Sequence, residues 1–290
     1  MSHYPPVIII GMHRSGTSLL TRTLQEMGLF MGVNITRNQE ARFTNAINDW
    51  IFAQAGAFWF TPKAVDSLLS DPASRPLIET YLRGVVNGPA ALRFLGLKRY
   101  LSYRGMHRME EAWGWKDPRN SFTLPLWLKV FPEARVLHIM RHGVDVAQSL
   151  RVRREQALTR HARRFDRWQS LYMMDPRAPG RRRFAHAPPC GNLDMAFDLW
   201  QAYSRSARTR TRELTEDRYM ELAYEDLLAS PMENLEAVTR FCGLSVSADH
   251  RQAVAGRFDK SRALAYRHDP ELVAFAESRR EALAEFGYET

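Results

Sequence analysis

The chain has 290 residues, a formal net charge of +9 and 45% apolar residues, which is typical of a globular α/β protein with a large core. Its two cysteines exclude a disulfide framework and a cysteine-based metal cluster. No apolar run approaches the roughly 18 residues that a membrane helix needs. A predicted strand begins a few residues after Met1, so we expect no leader peptide and a cytoplasmic protein.

Much of the positive charge lies between Arg151 and Arg212, in the runs RVRR, RHARR, RRR and RSARTRTR. These runs form either solvated helix faces or a rim that attracts an anionic partner. Aromatic residues do not interleave with them, so we expect no nucleic-acid partner. Residues 151–195 also carry Pro and Gly punctuation, and we predict that they form an insertion or cap within a single domain spanning 1–290.

The spacing of apolar residues predicts strands that alternate with helices. This alternation is typical of a parallel sheet with crossover helices. In chain order the predicted elements are a strand at 7–10, helices at 17–27 and 45–56, mixed helical structure at 75–104, a turn at 113–120, a short helix at 124–130, a strand at 135–140, a helix from 144 to 151, a helix at 197–214, a strand at 219–223, and a turn and helix that end at Gly243.

A glycine-bracketed loop, GMHRSGTS, joins the first strand to the first helix. Gly11 and Gly16 have the spacing of a phosphate-binding loop, which directs backbone N–H groups and a helix N-terminus at an anion. Loops that bind nucleoside triphosphates have Lys where this chain has Thr17, and here the cation stands earlier, at Arg14. The loop therefore predicts a phosphate ligand other than a triphosphate.

Arg141 follows the strand RVLHIM, and Ser149 stands eight residues further on in the next helix. The carboxyl end of a parallel strand is the edge at which open α/β sheets bind ligands, and a guanidinium binds phosphate through paired hydrogen bonds. An ATP-dependent enzyme of this class would have an Asp there for Mg²⁺. The position of Arg141 thus argues against a kinase.

The motifs GMHRSGTS, WGWKDPRN, RHGVDVAQS and YEDLL stand in the order found in the sulfotransferase family. The chain resembles the bacterial branch of that family from Val7 to about Tyr266. The resemblance implies a three-layer, P-loop-like α/β fold with a central parallel sheet flanked by helices, to which this chain adds a helical or irregular Arg-rich insertion. It implies 3′-phosphoadenosine 5′-phosphosulfate (PAPS) as donor, adenosine 3′,5′-bisphosphate as product, and no metal.

The resemblance also assigns the donor site. The motif GMHRSGTS, residues 11–18 and called the donor loop below, would hold the 5′-phosphate through backbone amides near Gly16 to Ser18 and the hydroxyls of Thr17 and Ser18. Arg14 would stabilise charge on the bridging oxygen. Lys116 would contact the sulfuryl group, and Arg141 with Ser149 would bind the 3′-phosphate. A basic C-terminal segment would close the site, unless it is only a solvated charge run. The predicted donor-binding residues are Gly11, Arg14, Ser15, Gly16, Thr17, Ser18, Arg141, Ser149, Lys260 and Arg262.

The acceptor must lose a proton, and Glu40 in NQEARFTN is the predicted base, with Asp117, Asp49 and His107 as alternatives. Glu40 as a surface carboxylate, and Asp117 as the structural partner of Arg119, both remain open. His13 stands where the family more often has Pro, and it receives no role.

The predicted reaction is sulfuryl transfer from PAPS to a hydroxyl or amine, with Arg14, Lys116 and Glu40 as catalytic residues. Alternative functions are a P-loop kinase of small molecules and a non-catalytic nucleotide-binding relative. The acceptor is a carbohydrate, a glycolipid or a small metabolite, and the sequence does not decide among them or predict the oligomeric state.

Overall fold

The computed structural model describes residues 4–174 and 187–290 of the chain. The chain divides into two compact units, Met1–Arg141 with Ala202–Ala265, and His142–Gln201 with Tyr266–Thr290. The predicted insertion at 151–195 is largely helical up to residue 174, and its residues 175–186 lie outside the described part. Within the described ranges, no helix is long and apolar enough to cross a membrane.

Helices separate the four strands in sequence, as predicted, although three of the helical segments contain three or more helices. The elements are β1 Val7–Ile10, α1 Thr17–Glu26, α2 Arg42–Gln54, α3 Ala64–Ser70, α4 Ser74–Asn87, α5 Leu92–Tyr103, β2 Gly114–Lys116, α6 Asn120–Val130, β3 Arg135–Met140, α7 Gly143–Arg167, α8 Gln169–Met174, α9 Leu193–Thr211, β4 Tyr219–Ala223, α10 Tyr224–Ala229, α11 Pro231–Phe241, α12 Ala248–Ala255, α13 Pro270–Ser278 and α14 Arg280–Ala284.

The sheet has four parallel strands in the order β2-β1-β3-β4. Val7 pairs with Gly114 on one side and with Arg135 on the other, and Val136 pairs with Tyr219. Strand β2 corrects the sequence prediction, which has only a turn at 113–120. Its three residues form a strand because they pair with β1, a tertiary contact that the short sequence GWK does not signal.

Both faces of β1 are covered, which confirms the three-layer α/β prediction for the first unit. Ile8 and Ile10 pack into one apolar cluster that includes Trp127 of α6. Val7 and Ile9 pack into a second cluster with Leu20 and Leu24 of α1, among others. Successive side chains of a strand point to opposite faces, so a continuous run of apolar residues is what a strand buried on both faces requires.

Helix α6 begins four residues before the predicted boundary at 124 and contains a proline. Pro125 has no N–H to donate to the carbonyl of Ser121, one turn earlier. The hydroxyl of Ser206 donates to that carbonyl instead, over 2.6 Å. This tertiary hydrogen bond stabilises a proline position that the local sequence predicts as a helix start.

The second unit has its own aromatic packing. The rings of Phe197 and Trp200 lie 5.1 Å apart, and Phe286 lies 4.8 Å from Trp200. A β-carbon added to Gly143 would come within 2.6 Å of the Trp200 ring, so the first residue of α7 must be small. Helix α7 extends well beyond the predicted end at residue 151.

Candidate donor site

The donor loop connects β1 to α1, and both of its glycines are required because other segments approach them closely. Gly11 has φ 135°, and a β-carbon there would lie 2.3 Å from the carbonyl oxygen of Ile139 in β3. Gly16 has φ 89°, and its β-carbon would lie 2.3 Å from the ring of Tyr224. Any larger residue at either position must displace a neighbour as well as adopt a left-handed backbone. The loop shape is therefore fixed by packing against β3 and α10.

Arg14 lies at the exposed tip of this loop with a backbone φ of 74°. Left-handed backbone is uncommon for a residue with a side chain and is found where the surrounding structure enforces it. Gly16 precedes the first residue of α1, and no side chain among the described residues caps that helix end. The first-turn N–H groups of α1 thus face the loop, as in helix N-termini that bind anions.

The loop hydroxyls have distinct environments. Ser15 is buried, and its Oγ has no hydrogen-bond partner among the described residues. Thr17 is also buried, whereas Ser18 is half-buried and donates to the carbonyl of Asn38 over 2.8 Å. Buried hydroxyl groups without partners are rare, so Ser15 indicates that the loop is built to accept a further polar group.

Lys116 and Glu40 form a buried ion pair beside the donor loop. The Lys116 ammonium lies 2.8 Å from Glu40 Oε1 and donates to the carbonyl of Asn38 over 2.6 Å, and the two side chains are 1% and 9% exposed. The Thr36 hydroxyl donates to the second carboxylate oxygen of Glu40, over 2.9 Å. Because Asn38 accepts from both Ser18 and Lys116, its carbonyl links the ion pair to the donor loop.

Asp117 and Arg119 form a second buried ion pair. Arg119 donates to Asp117 Oδ2 over 2.8 Å, to the carbonyl of Asn45 over 3.0 Å, and to the exposed carboxylate of Asp49. Burial raises the pKa of Asp117, but the charge and hydrogen bonds of Arg119 outweigh it, so that this pKa lies below its usual value. Arg119 thus attaches α2 to the turn after β2, and it forms ion pairs with both Asp117 and Asp49.

The contacts of His107 connect secondary-structure elements. One ring nitrogen is 2.8 Å from Asn87 Oδ1 and the other is 2.8 Å from the carbonyl of Val130. The ring also stacks on Phe131, at 4.4 Å between centroids. His107 thus joins the ends of α4 and α6, away from the contacts that surround Lys116 and Glu40.

Arg141 is brought to the donor loop at the end of β3. Its guanidinium donates to the carbonyl of Arg14 over 3.4 Å and to the carbonyl of Arg262 over 2.8 Å, and it lies 4.8 Å from the ring centroid of Tyr224. The predicted loop, the strand-end arginine and the C-terminal basic segment therefore meet at one residue.

The three remaining predicted donor-binding residues are Arg262, Lys260 and Ser149. The Arg262 side chain is exposed and pairs with Asp259 at 3.3 Å, so that its carbonyl rather than its guanidinium contacts Arg141. Lys260 is exposed on the same turn. Ser149 belongs to the second unit, where it is half-buried on α7.

Sequence reasoning missed Tyr224, His13 and Trp59. Tyr224 contacts both Gly16 and Arg141, and burial raises its pKa. The rings of His13 and Trp59 lie 4.6 Å apart beside the loop, and the hydroxyl of Tyr203 donates to the Trp59 carbonyl over 2.7 Å. The YEDLL motif was the signal for Tyr224, but no local pattern pairs His13 with an aromatic residue 46 positions later.

Known structures provide an independent comparison. The sulfotransferase domain of the olefin synthase of Synechococcus PCC 7002 is 18% identical, with a TM-score of 0.50, and the match covers 100% of this chain and 98% of that one. A sulfotransferase from Alicyclobacillus acidocaldarius is 16% identical, with a TM-score of 0.46, and the match covers 100% and 98%. At these identities the first structure supports the fold alone, and the second carries no further argument. No curated relative matches the chain.

The sequence model of one family spans most of the chain. It is described as the sulfotransferase family, and it matches residues 5–248, which include the donor loop, Lys116, Arg141 and Tyr224. The match confirms the resemblance stated above, and this chain belongs to the sulfotransferase family.

Proposed function

We propose that this protein transfers a sulfuryl group from PAPS to a hydroxyl or amine of an acceptor. One observation carries the proposal: the donor loop is contacted by Arg141 on one side and is linked to buried Lys116 through Ser18 and Asn38 on the other. Family membership supports sulfuryl transfer, and this arrangement supports a donor with two phosphates.

The loop residues fit a phosphate. The unpartnered Ser15 hydroxyl and the uncapped start of α1 are donors that an anion would satisfy. Gly16 has no side chain and lies against Tyr224, so this part of the loop consists of backbone atoms alone. PAPS would bring its 5′-phosphosulfate to this position.

When the donor is bound, the S–O bond to its 5′-phosphate breaks as the acceptor oxygen or nitrogen bonds to sulfur, and adenosine 3′,5′-bisphosphate leaves. Arg14 stabilises the negative charge that grows on the bridging oxygen. Lys116, held by Glu40 and the Asn38 carbonyl, presents its ammonium to the sulfuryl oxygens. Arg141 binds the 3′-phosphate, and the contributions of Ser149, Lys260 and Arg262 to that end of the donor stay predictions.

Glu40 takes the acceptor proton. Each of its carboxylate oxygens accepts one described hydrogen bond, from Lys116 or from Thr36, and an ionised carboxylate oxygen retains further lone-pair capacity. Asp117, Asp49 and His107 are engaged elsewhere, by Arg119 or by the ends of α4 and α6. These contacts favour Glu40 over the three alternatives.

The kinase alternative is not favoured, because β3 ends next to Arg141 and the family is that of sulfotransferases. A non-catalytic relative would bind the nucleotide and transfer nothing. Turnover by the unmodified protein separates the two remaining possibilities. We expect Glu40→Gln to retain nucleotide binding and to lose turnover by at least about tenfold.

The decisive experiment is calorimetric titration of adenosine 3′,5′-bisphosphate in the presence of EDTA, followed by turnover of labelled PAPS with a panel of phenols, sugars and amines. We expect metal-independent binding, and a loss of turnover of about 10²-fold or more in Arg14→Ala. The matched control is Arg22→Ala, which removes the same charge from an exposed position on α1. Absence of bisphosphate binding to the unmodified protein would overturn the proposal.

A further inference from the structure

A cavity of about 720 Å³ lies at the edge of the sheet opposite the donor loop. Pro132 and Arg218, which precede β3 and β4, line it together with residues of α4, α6 and α9. In a parallel sheet the strands all begin at one edge, whereas the donor loop follows the end of β1 at the other. The volume falls within the roughly 300–1,000 Å³ typical of small-molecule sites.

The lining is strongly basic. Three of its arginines meet carboxylates: Arg75 is 2.9 Å from Glu79, Arg210 pairs with Asp66, and Arg212 is 3.5 Å from Glu213. The last of these pairs is largely exposed and contributes little. In full, the cationic residues that line the cavity are Arg75, Arg83, Lys129, Arg210, Arg212 and Arg218.

The other cations are held differently. Arg83 donates to the carbonyl of Lys129, and Arg218 donates to the carbonyl of Ala134 over 3.3 Å. A carbonyl oxygen orients a guanidinium without neutralising it. Six cations line the cavity, and four carboxylates interact with them: Glu79, Asp66 and Glu213 through ion pairs, and Asp217 through its charge interaction with Arg218. These described residues therefore keep an excess of two positive charges. Guanidinium groups held in this way match the paired oxygens of a phosphate.

The cavity also has an apolar part, formed by Pro125, Leu128, Pro132 and Leu214. These side chains offer a ligand no hydrogen bonds, so they favour contact with an apolar or planar surface. A ligand that uses the whole lining must combine such a surface with several negative charges. Inorganic phosphate lacks the first feature, and a neutral metabolite lacks the second.

We infer that this cavity binds an organic phosphate that carries two or more negative charges beside an apolar or planar body, such as a nucleoside polyphosphate. The site is separate from the proposed donor site and goes beyond the proposed transfer reaction. It requires neither Arg14 nor Lys116. Because the cations are partly exposed, binding weakens as salt rises.

The test is calorimetric titration of guanosine 5′-triphosphate and of tripolyphosphate, which has the charges without the body, both with EDTA. We expect the nucleotide to bind more tightly than tripolyphosphate. Arg83→Gln/Lys129→Gln should weaken nucleotide binding by about tenfold or more. The control, Arg93→Gln/Lys98→Gln, removes the same charge from exposed positions on α5 and should leave binding unchanged.

Three outcomes would overturn the inference: no nucleotide binding, equal affinity for nucleotide and tripolyphosphate, or equal effects of the two double variants. Lys129→Gln alone covers the case of a misfolded double variant, since this side chain is exposed, and it should weaken binding by a few fold. Arg14→Ala should retain guanosine triphosphate binding. If the unmodified protein binds guanosine triphosphate but does not bind adenosine 3′,5′-bisphosphate, the proposed function fails and this inference stands.

Discussion

The two sides of the donor loop hold their cations in different ways. Lys116 is 1% exposed and faces the carboxylate of Glu40, which is itself held by Thr36. Arg141 is half-buried and contacts two backbone carbonyls and the ring of Tyr224. A buried charge that loses its partner destabilises the fold, whereas a half-buried charge on carbonyls stays close to water. We therefore expect changes at Lys116 to affect stability and chemistry together, and changes at Arg141 to affect mainly binding.

Lys116→Met should have the largest effect. It leaves Glu40 buried without its ammonium, and breaking such a pair costs about 3–5 kcal/mol of unfolding free energy. Turnover of labelled PAPS should fall by about 10²-fold or more, since the ammonium stabilises charge in the transition state. Urea unfolding of Lys116→Met, Glu40→Gln and the double variant measures the coupling. Additive losses would show that the two side chains do not act as a pair.

Arg141→Ala should weaken the binding of adenosine 3′,5′-bisphosphate by about 10- to 100-fold, because a charged, paired hydrogen bond to phosphate is lost. The free energy of unfolding should change by less than about 1 kcal/mol. Arg141→Lys is the control, because it keeps the charge but not the paired geometry. Its affinity for the bisphosphate should lie between those of the unmodified protein and Arg141→Ala. A loss of stability as large as that of Lys116→Met would contradict the contrast between the two sides.

Gly16→Ala tests the packing that joins the loop to the Arg141 side. The new β-carbon would lie 2.3 Å from the Tyr224 ring at a φ of 89°. The matched control is Gly28→Ala, which has a φ of 102° and nothing within 4 Å of the added carbon. Both variants pay about 1 kcal/mol of backbone strain, and we expect Gly16→Ala to lose a further 1–3 kcal/mol from the clash. Equal thermal shifts would show that Tyr224 moves aside without cost.

The smallest expected effect is a pH dependence at Asp117, next to Lys116. Its pKa is lower in the folded protein than its ordinary value of about 3.9, so its contribution is complete above that value and is lost as the pH falls below it. The unmodified protein should lose about 1 kcal/mol more than Asp117→Asn between pH 5 and pH 3. Exposed Asp249→Asn is the control and should follow the unmodified protein. If the stability of all three proteins falls in parallel with pH, Asp117 does not contribute to the loss of stability in acid.

The parts of the fold that could be predicted from sequence are those with a local signal. The strands at Val7–Ile10, Arg135–Met140 and Tyr219–Ala223 were predicted at their observed bounds, because short apolar runs between helical segments are local patterns. Strand β2 was missed, because three residues with no β-branched side chain become a strand only by pairing with β1. The length of α7 was also missed, since exposed arginines do not show where a helix ends.

The candidate site divides in the same way. The glycines and Arg14 were visible as spacing within one loop, and Arg141 as the residue after a strand. The partnership of Lys116 with Glu40 joins positions 76 residues apart, which no local pattern predicts. The pairing of Asp117 with Arg119 was one of the interpretations that the sequence left open, and the structure shows it as a buried ion pair. Tyr224 and His13 acquire their contacts only when separate segments meet at the loop.

The sequence by itself determined the class of the protein and the position of its phosphate loop, because glycine spacing, strand ends and motif order are properties of neighbouring residues. Only the tertiary structure decided which charges are buried and which groups they contact. Burial and charge compensation arise between segments that lie far apart in the chain, so the contrast between Lys116 and Arg141 exists only in the folded protein.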